Sequence, residues 1–128
     1  MIKQNETKSK ALTIAEVQKI LRDFVVERSW EKFHTPKNLV LALIGEVGEL
    51  AEHFQWLSDS EALKAKEDPD WRKKVGYEIA DVCSYLFRLA DVLQIDMDQV
   101  IREKILINGQ KYPVELSRGS AVKYDKLK

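Results

Sequence analysis

Two pairs of acids hold the clearest chemistry in this sequence: Glu46 and Glu49 within Gly45-Glu46-Val47-Gly48-Glu49-Leu50-Ala51-Glu52, and Glu78 and Asp81 within Glu78-Ile79-Ala80-Asp81. Each pair places two carboxylates three residues apart inside an apolar run. On a helix such residues stand one turn apart on one face, so two packed helices would gather four carboxylates at one place. Carboxylates held within a few ångströms disfavour one another's charge unless a cation neutralises them. Hard oxygen donors, with no thiolate pair and no convergent His pair, select Mg²⁺, or Mn²⁺ as a substitute, over zinc. Glu52 projects about 60° away from Glu49 and is assigned to solvent or a salt bridge. Surface acids on amphipathic helices are the ordinary explanation of a single Glu-x-x-Glu pair. Two such pairs, flanked by apolar residues on both sides, favour a metal site. A carboxylate not fully used as a ligand can take a proton from an attacking water, and Glu49, central on its face, is the candidate base.

Other residues can support that site. The same helical projection puts His53 on the arc of Glu46 and Glu49, and Tyr85 on the arc of Glu78 and Asp81. Trp30, Phe33, His34, Trp56 and Tyr85 flank the acidic helices and can line a slot for a flat ring, although core packing accounts for any one of them alone. Lys104, Asn108 and Lys111, at spacings of four and three and followed by Tyr112, offer two cations and an amide to phosphate oxygens. A solvated helix end with Lys near its C-terminus is the plainer explanation of that pattern. Glu31-x-x-His34 matches the iron-binding element of di-iron carboxylate bundles, but it occurs once and just before Pro36.

The elements that must position these groups are helical. Thr13 and Glu16 form a capping box that opens a first helix through Val17, Ile20, Leu21, Phe24 and Val25, expected to end near Trp30 to His34. Pro36 restarts the chain, and residues 38–57 are apolar on nearly all sides, the mark of an interior helix. Gly45 and Gly48 cost about 1 kcal/mol each against Ala within a helix, which suggests close helix approach. Ser58 and Glu61 cap a short polar connector. Asp68-Pro69 opens a helix to Leu93, and Asp96 caps another over 97–108, with Gly109 as its expected C-cap. Residues 1–11 read as a flexible N-terminus, 12–112 as the helical domain, and 113–128 as an extended or disordered arm. With no strand signal, the expected fold is an all-α, four-helix bundle-like domain.

Composition fits a soluble globular domain: 45% of the 128 residues are hydrophobic and 33% charged. A chain this short makes an interior helix depend on neighbouring copies for cover. Lys plus Arg and Asp plus Glu both number 21, which argues against a partner bound through a global basic field, such as a nucleic-acid polymer. The balance is uneven, since residues 101–128 hold seven basic residues against three acids. Cys83 is the sole cysteine, excluding an intramolecular disulfide and a thiolate zinc site. With a polar N-terminus and no membrane-length apolar run, the expected compartment is the cytoplasm and no membrane partner is expected.

From Thr13 onward the chain resembles the MazG-like all-α nucleoside triphosphate pyrophosphohydrolases, most closely their dCTP pyrophosphatase branch. The resemblance runs through Glu27 to His34, Pro36-Lys37-Asn38-Leu39, Gly45 to Trp56, Glu78-Ile79-Ala80-Asp81 and Lys104 to Pro113. Its hallmark is Glu-x-x-Glu followed, after a helical connector, by Glu-x-x-Asp. The resemblance implies hydrolysis of a (deoxy)nucleoside triphosphate, dCTP or a related dNTP, to the monophosphate and pyrophosphate. It implies Mg²⁺ held by Glu46, Glu49, Glu78 and Asp81, and assembly as a dimer or a dimer of dimers. By the same likeness Trp30, Trp56 and Tyr85 border the nucleoside, while Lys104, Asn108, Lys111 and Tyr112 meet the phosphates; His34, Asn38 and His53 complete the expected substrate-binding set, His53 without support from the likeness. Two positions depart from the branch: Leu21 stands where relatives carry a His near the base, and His53 where they carry an apolar residue. Two other readings remain at this point, a non-catalytic helical assembly protein with a structural metal site and a di-iron carboxylate bundle.

Overall fold

The computed structural model describes residues 10–128, so the first nine residues of the expected flexible N-terminus lie outside the described part. The described chain has no strand, and the all-α expectation holds. Compact packing divides it into two units, one up to Ile95 and one from Asp96, a division that falls ahead of the 112/113 boundary read from sequence.

In the first unit, α1 (Ile14–Glu27) opens on the expected capping box: the Glu16 N–H donates to Thr13 Oγ1 at 3.2 Å and the Thr13 N–H to the Glu16 carboxylate at 2.7 Å. It stops earlier than expected. Ser29 takes a left-handed φ of 52°, and the Trp30 N–H returns to the Val25 carbonyl at 3.0 Å, closing the last turn. Glu31–Phe33 then forms a separate 3-10 turn. α2 (Pro36–Glu52) begins with Thr35 as N-cap and Pro36 in the first turn, and it ends short of the expected Leu57. α3 (Asp59–Ala65) is the polar connector, with the Ser58/Glu61 capping box formed. α4 (Pro69–Val92) is opened by the Asp68 side chain and closed by Gln94 at a φ of 55°.

Both α1 and α2 pack on α4. Gln18 reaches the Phe87 carbonyl and Arg22 reaches Asp91, so α1 and α4 run in the same direction. His53 meets Glu78, and Phe54 stacks edge-on against Trp71 at 5.2 Å, so α2 runs opposite to α4. The centre of this packing is Val25, Leu39, Val75 and Ala90. The expected interior character of α2 is not met within one chain: Leu39 is its buried residue, while Val40, Leu41, Ile44 and Val47 are exposed. Nor do Gly45 and Gly48 serve close approach within the chain, because a Cβ at either would meet nothing within 4 Å.

The second unit contains α5 (Met97–Lys111), α6 (Val114–Ser117) and a 3-10 turn at Tyr124–Lys126. Asp96 caps α5 as expected, accepting from the Gln99 N–H at 3.0 Å, but the helix passes through Gly109 and is capped by Tyr112. The expected extended arm is instead folded locally. Ser117 Oγ donates to the Pro113 carbonyl at 2.6 Å, Tyr112 stacks edge-on with Tyr124, and Lys111 Nζ lies 4.8 Å from the Tyr124 ring centroid. Among the described residues, no helix is long and apolar enough to cross a membrane.

Candidate functional site

The antiparallel pairing of α2 and α4 brings three of the four sequence-predicted acids together. Carboxylate oxygens of Glu46, Glu49 and Glu78 lie within 4.8 Å of one another. Glu46 and Glu78 are half-buried and Glu49 is exposed. Asp81 stands outside this group, one turn along α4 from Glu78, yet its charge acts on both Glu46 and Tyr85. The Glu46 carboxyl is pushed above its ordinary pKa, first by burial and then by the charges of Glu49, Asp81 and Glu78, with a hydrogen bond to Glu49 adding to the shift. Among the described residues no Lys or Arg pairs with these carboxylates; their basic neighbour is His53, whose Nε2 lies 3.6 Å from Glu78 Oε1. A group of oxygen donors with so little compensating charge fits a hard divalent cation such as Mg²⁺ or Mn²⁺.

Beside the acids lies a cavity of about 210 Å³. Leu21, Val25 and Trp30 form its apolar wall, and His34, Asp81, Ser84, Tyr85 and Arg88 its polar wall. Asp81 thus belongs to the acidic face of α4 and to the cavity. Trp30 is set by an edge-on contact with Phe24, with ring centroids 5.9 Å apart. Burial pushes the His34 imidazole below its ordinary pKa, and the charge of Arg88 adds to this. Burial, followed by the charges of Glu46, Asp81 and Glu49, pushes the Tyr85 phenol up.

Arg88, Ser84 and Val25 were not among the sequence candidates. Arg88 is 8% exposed, its Nη1 donates to Asp91 at 2.6 Å, and Arg22 of α1 grips the same carboxylate. His34 Nδ1 and Arg88 Nε are buried without hydrogen-bond partners. A usable signal was in the sequence: an Arg inside the apolar stretch of the helix, with an acid three residues on to hold it.

The other candidates are placed differently. Asn38 Nδ2 donates to the Phe33 carbonyl at 3.1 Å, so it secures the turn between α1 and α2 and does not line the cavity. Trp56 follows α2 and is 86% exposed. His53 lies against the acids, away from the cavity wall. Lys104, Asn108 and Lys111 stand on one face of α5 because the helix continues to Lys111, and the Tyr112 N–H donates to the Asn108 carbonyl at 2.9 Å. Glu31 and His34 belong to the 3-10 turn and its cap, not to a helix interior.

Residues 44–127 match the model of the MazG-like family. The chain is 47% identical over 115 residues to dCTP pyrophosphatase 1 of Mus musculus, covering 90% of this chain and 68% of that protein. It is 42% identical to dCTP pyrophosphatase 1 of Homo sapiens with the same coverage. The fold superposes on a pyrophosphatase from Archaeoglobus fulgidus, solved by crystallography, with a TM-score of 0.73 at 40% identity, covering 82% of this chain and 96% of that one. The match to the family model takes in all four acids, Glu46, Glu49, Glu78 and Asp81, and the chain therefore belongs to the MazG-like family of all-helical nucleotide pyrophosphohydrolases.

Proposed function

We propose that this protein hydrolyses a deoxynucleoside triphosphate, dCTP or a close relative, to the monophosphate and pyrophosphate. The observation that carries this reading is the position of the Glu46, Glu49 and Glu78 cluster beside a cavity walled by Trp30 and Tyr85, with Asp81 in the cavity wall and its charge acting on Glu46. Substrate identity rests on the likeness to the dCTP pyrophosphatases.

Glu46, Glu49, Glu78 and Asp81 would hold Mg²⁺. When bound, that ion offsets the triphosphate's charge and polarises the phosphoryl group under attack. Glu49, the exposed member of the three, takes the proton from the attacking water. Trp30 and Tyr85 flank the base, with Leu21 supplying an apolar wall. Lys104, Asn108, Lys111 and Tyr112 are assigned to phosphate oxygens, as cations and donors on one side of α5.

The functional protein is further proposed to be a homo-oligomer, a dimer or a dimer of dimers. The exposed apolar face of α2 and the open space at Gly45 and Gly48 support this, since a second copy could approach that helix closely. The proposed compartment is the cytoplasm. Incubating the purified protein with Mg²⁺ and each dNTP in turn should release pyrophosphate, with dCTP or a related cytosine nucleotide preferred. Release of orthophosphate alone, or no turnover of any nucleotide, would sink the reading.

A further inference from the structure

The proposed reaction leaves unused the basic group that touches the acidic cluster. His53 is the C-cap of α2, one turn beyond Glu49, so helical periodicity brings its imidazole to the face of Glu46 and Glu49. Its Nε2 lies 3.6 Å from Glu78 Oε1 on α4, and the two side chains are shielded alike, at 24% and 23% exposure. His53 is not part of the group whose ligand atoms all lie within 4.8 Å of one another, whereas Glu78 is. Glu78 is therefore the carboxylate that touches both the cluster and the imidazole.

A carboxylate that gives one oxygen to a cation has a second oxygen to be held, and metal-ligating carboxylates are commonly oriented by such an outer hydrogen bond. Glu78 needs one more than its partners, because it comes from a different helix and must keep its register with Glu46 and Glu49 across the α2–α4 contact. A Glu side chain left without a partner loses rotamer freedom when a cation fixes it, a cost that an already oriented carboxylate avoids. A modest rotation of the carboxylate shortens the 3.6 Å contact to an N–H···O hydrogen bond of about 2.8 Å.

We propose that His53 is a positioning residue for the divalent-cation site, its imidazole N–H holding the outer oxygen of Glu78 so that the inner one faces Glu46 and Glu49. The proposal rests on the reading of these acids as the metal site. Its consequence is a cation affinity that depends on a side chain outside the acid set.

The test is calorimetric titration of the intact protein with MgCl₂ in the absence of nucleotide, repeated with Mn²⁺ and followed by electron paramagnetic resonance. Outer partners of metal ligands contribute about 10- to 100-fold in affinity, so His53→Leu and His53→Ala should each bind at least about 10-fold more weakly than the wild type. His53→Gln keeps an N–H donor and should recover most of the loss. Far-UV circular dichroism and the thermal midpoint without metal should be unchanged in all three. Wild-type affinity in both His53→Leu and His53→Ala overturns the positioning role, and so does a His53→Gln protein as weak as the other two. A wild-type protein that binds neither cation overturns the metal site itself, and the inference with it.

Discussion

Arg88 donates from Nη1 to the Asp91 carboxylate at 2.6 Å, so a buried guanidinium in the cavity wall is held by an acid one turn further along the same helix. Arg22 of α1 grips both oxygens of that carboxylate. The cavity's polar wall and the α1–α4 contact thus share one anion. Asp91→Asn should remove the charge that compensates Arg88, whose side chain is 10% exposed, and lower stability by about 3 kcal/mol in a denaturant melt. A loss below the scatter of surface substitutions, about 0.5 kcal/mol, would count against this account.

The same network sets a pH dependence. The guanidinium of Arg22, with that of Arg88, holds the Asp91 carboxyl below the ordinary carboxylate range. Because the folded pKa is depressed, the stabilisation is complete above the unfolded value near 3.8 and is lost as pH falls through the folded one. His34 behaves alike nearer neutrality, since burial and Arg88 both resist its protonation. Its contribution is present above the unfolded value of 6.5 and falls as pH drops towards the depressed folded value. Urea midpoints from pH 7.5 to 5 should decline for the wild type and decline less for His34→Gln.

Loss of a carboxylate of the proposed site should leave the fold standing. Glu49→Gln and Asp81→Asn are expected to lower kcat by about 10²- to 10⁴-fold in a pyrophosphate-release assay, with the helical circular dichroism signal intact. Glu49 is exposed and makes no ion pair among the described residues, so its neutral amide disturbs little beyond the site. Wild-type rates in both variants would rule out the acidic cluster as the catalytic centre.

The apolar face of α2 gives a test of assembly. Ile44 is 62% exposed in one chain. If a second copy covers it, Ile44→Asp should shift the mass measured by light scattering towards the monomer. An unchanged mass would place the interface elsewhere.

Gln94 closes α4 with a φ of 55°, a conformation that costs a residue with a Cβ about 1–2 kcal/mol. Gly lacks that penalty but gives up more chain entropy on folding, so Gln94→Gly should stabilise the protein by at most about 1 kcal/mol. A thermal midpoint below the wild type would contradict this balance.

The helices, their N-caps and the acidic faces were legible in short-range patterns of the sequence. Each of these depends on residues within four positions of one another: Thr13 with Glu16, Ser58 with Glu61, Glu46 with Glu49, Glu78 with Asp81. Helix ends were less legible. α1 stops at a left-handed Ser29 and α5 runs through Gly109, and no residue at either position forces the outcome locally. Which of the aligned acids meet is set by how the helices pack. Three of the four lie within 4.8 Å of one another, and Asp81 stands beside the cavity, because the crossing of α2 on α4 sets distances that helical periodicity alone cannot. Arg88 beside Asp91 was readable as a spacing, but its burial in the cavity wall and its link through Asp91 to Arg22 depend on the packing of α1, which follows from contacts between residues far apart in the chain.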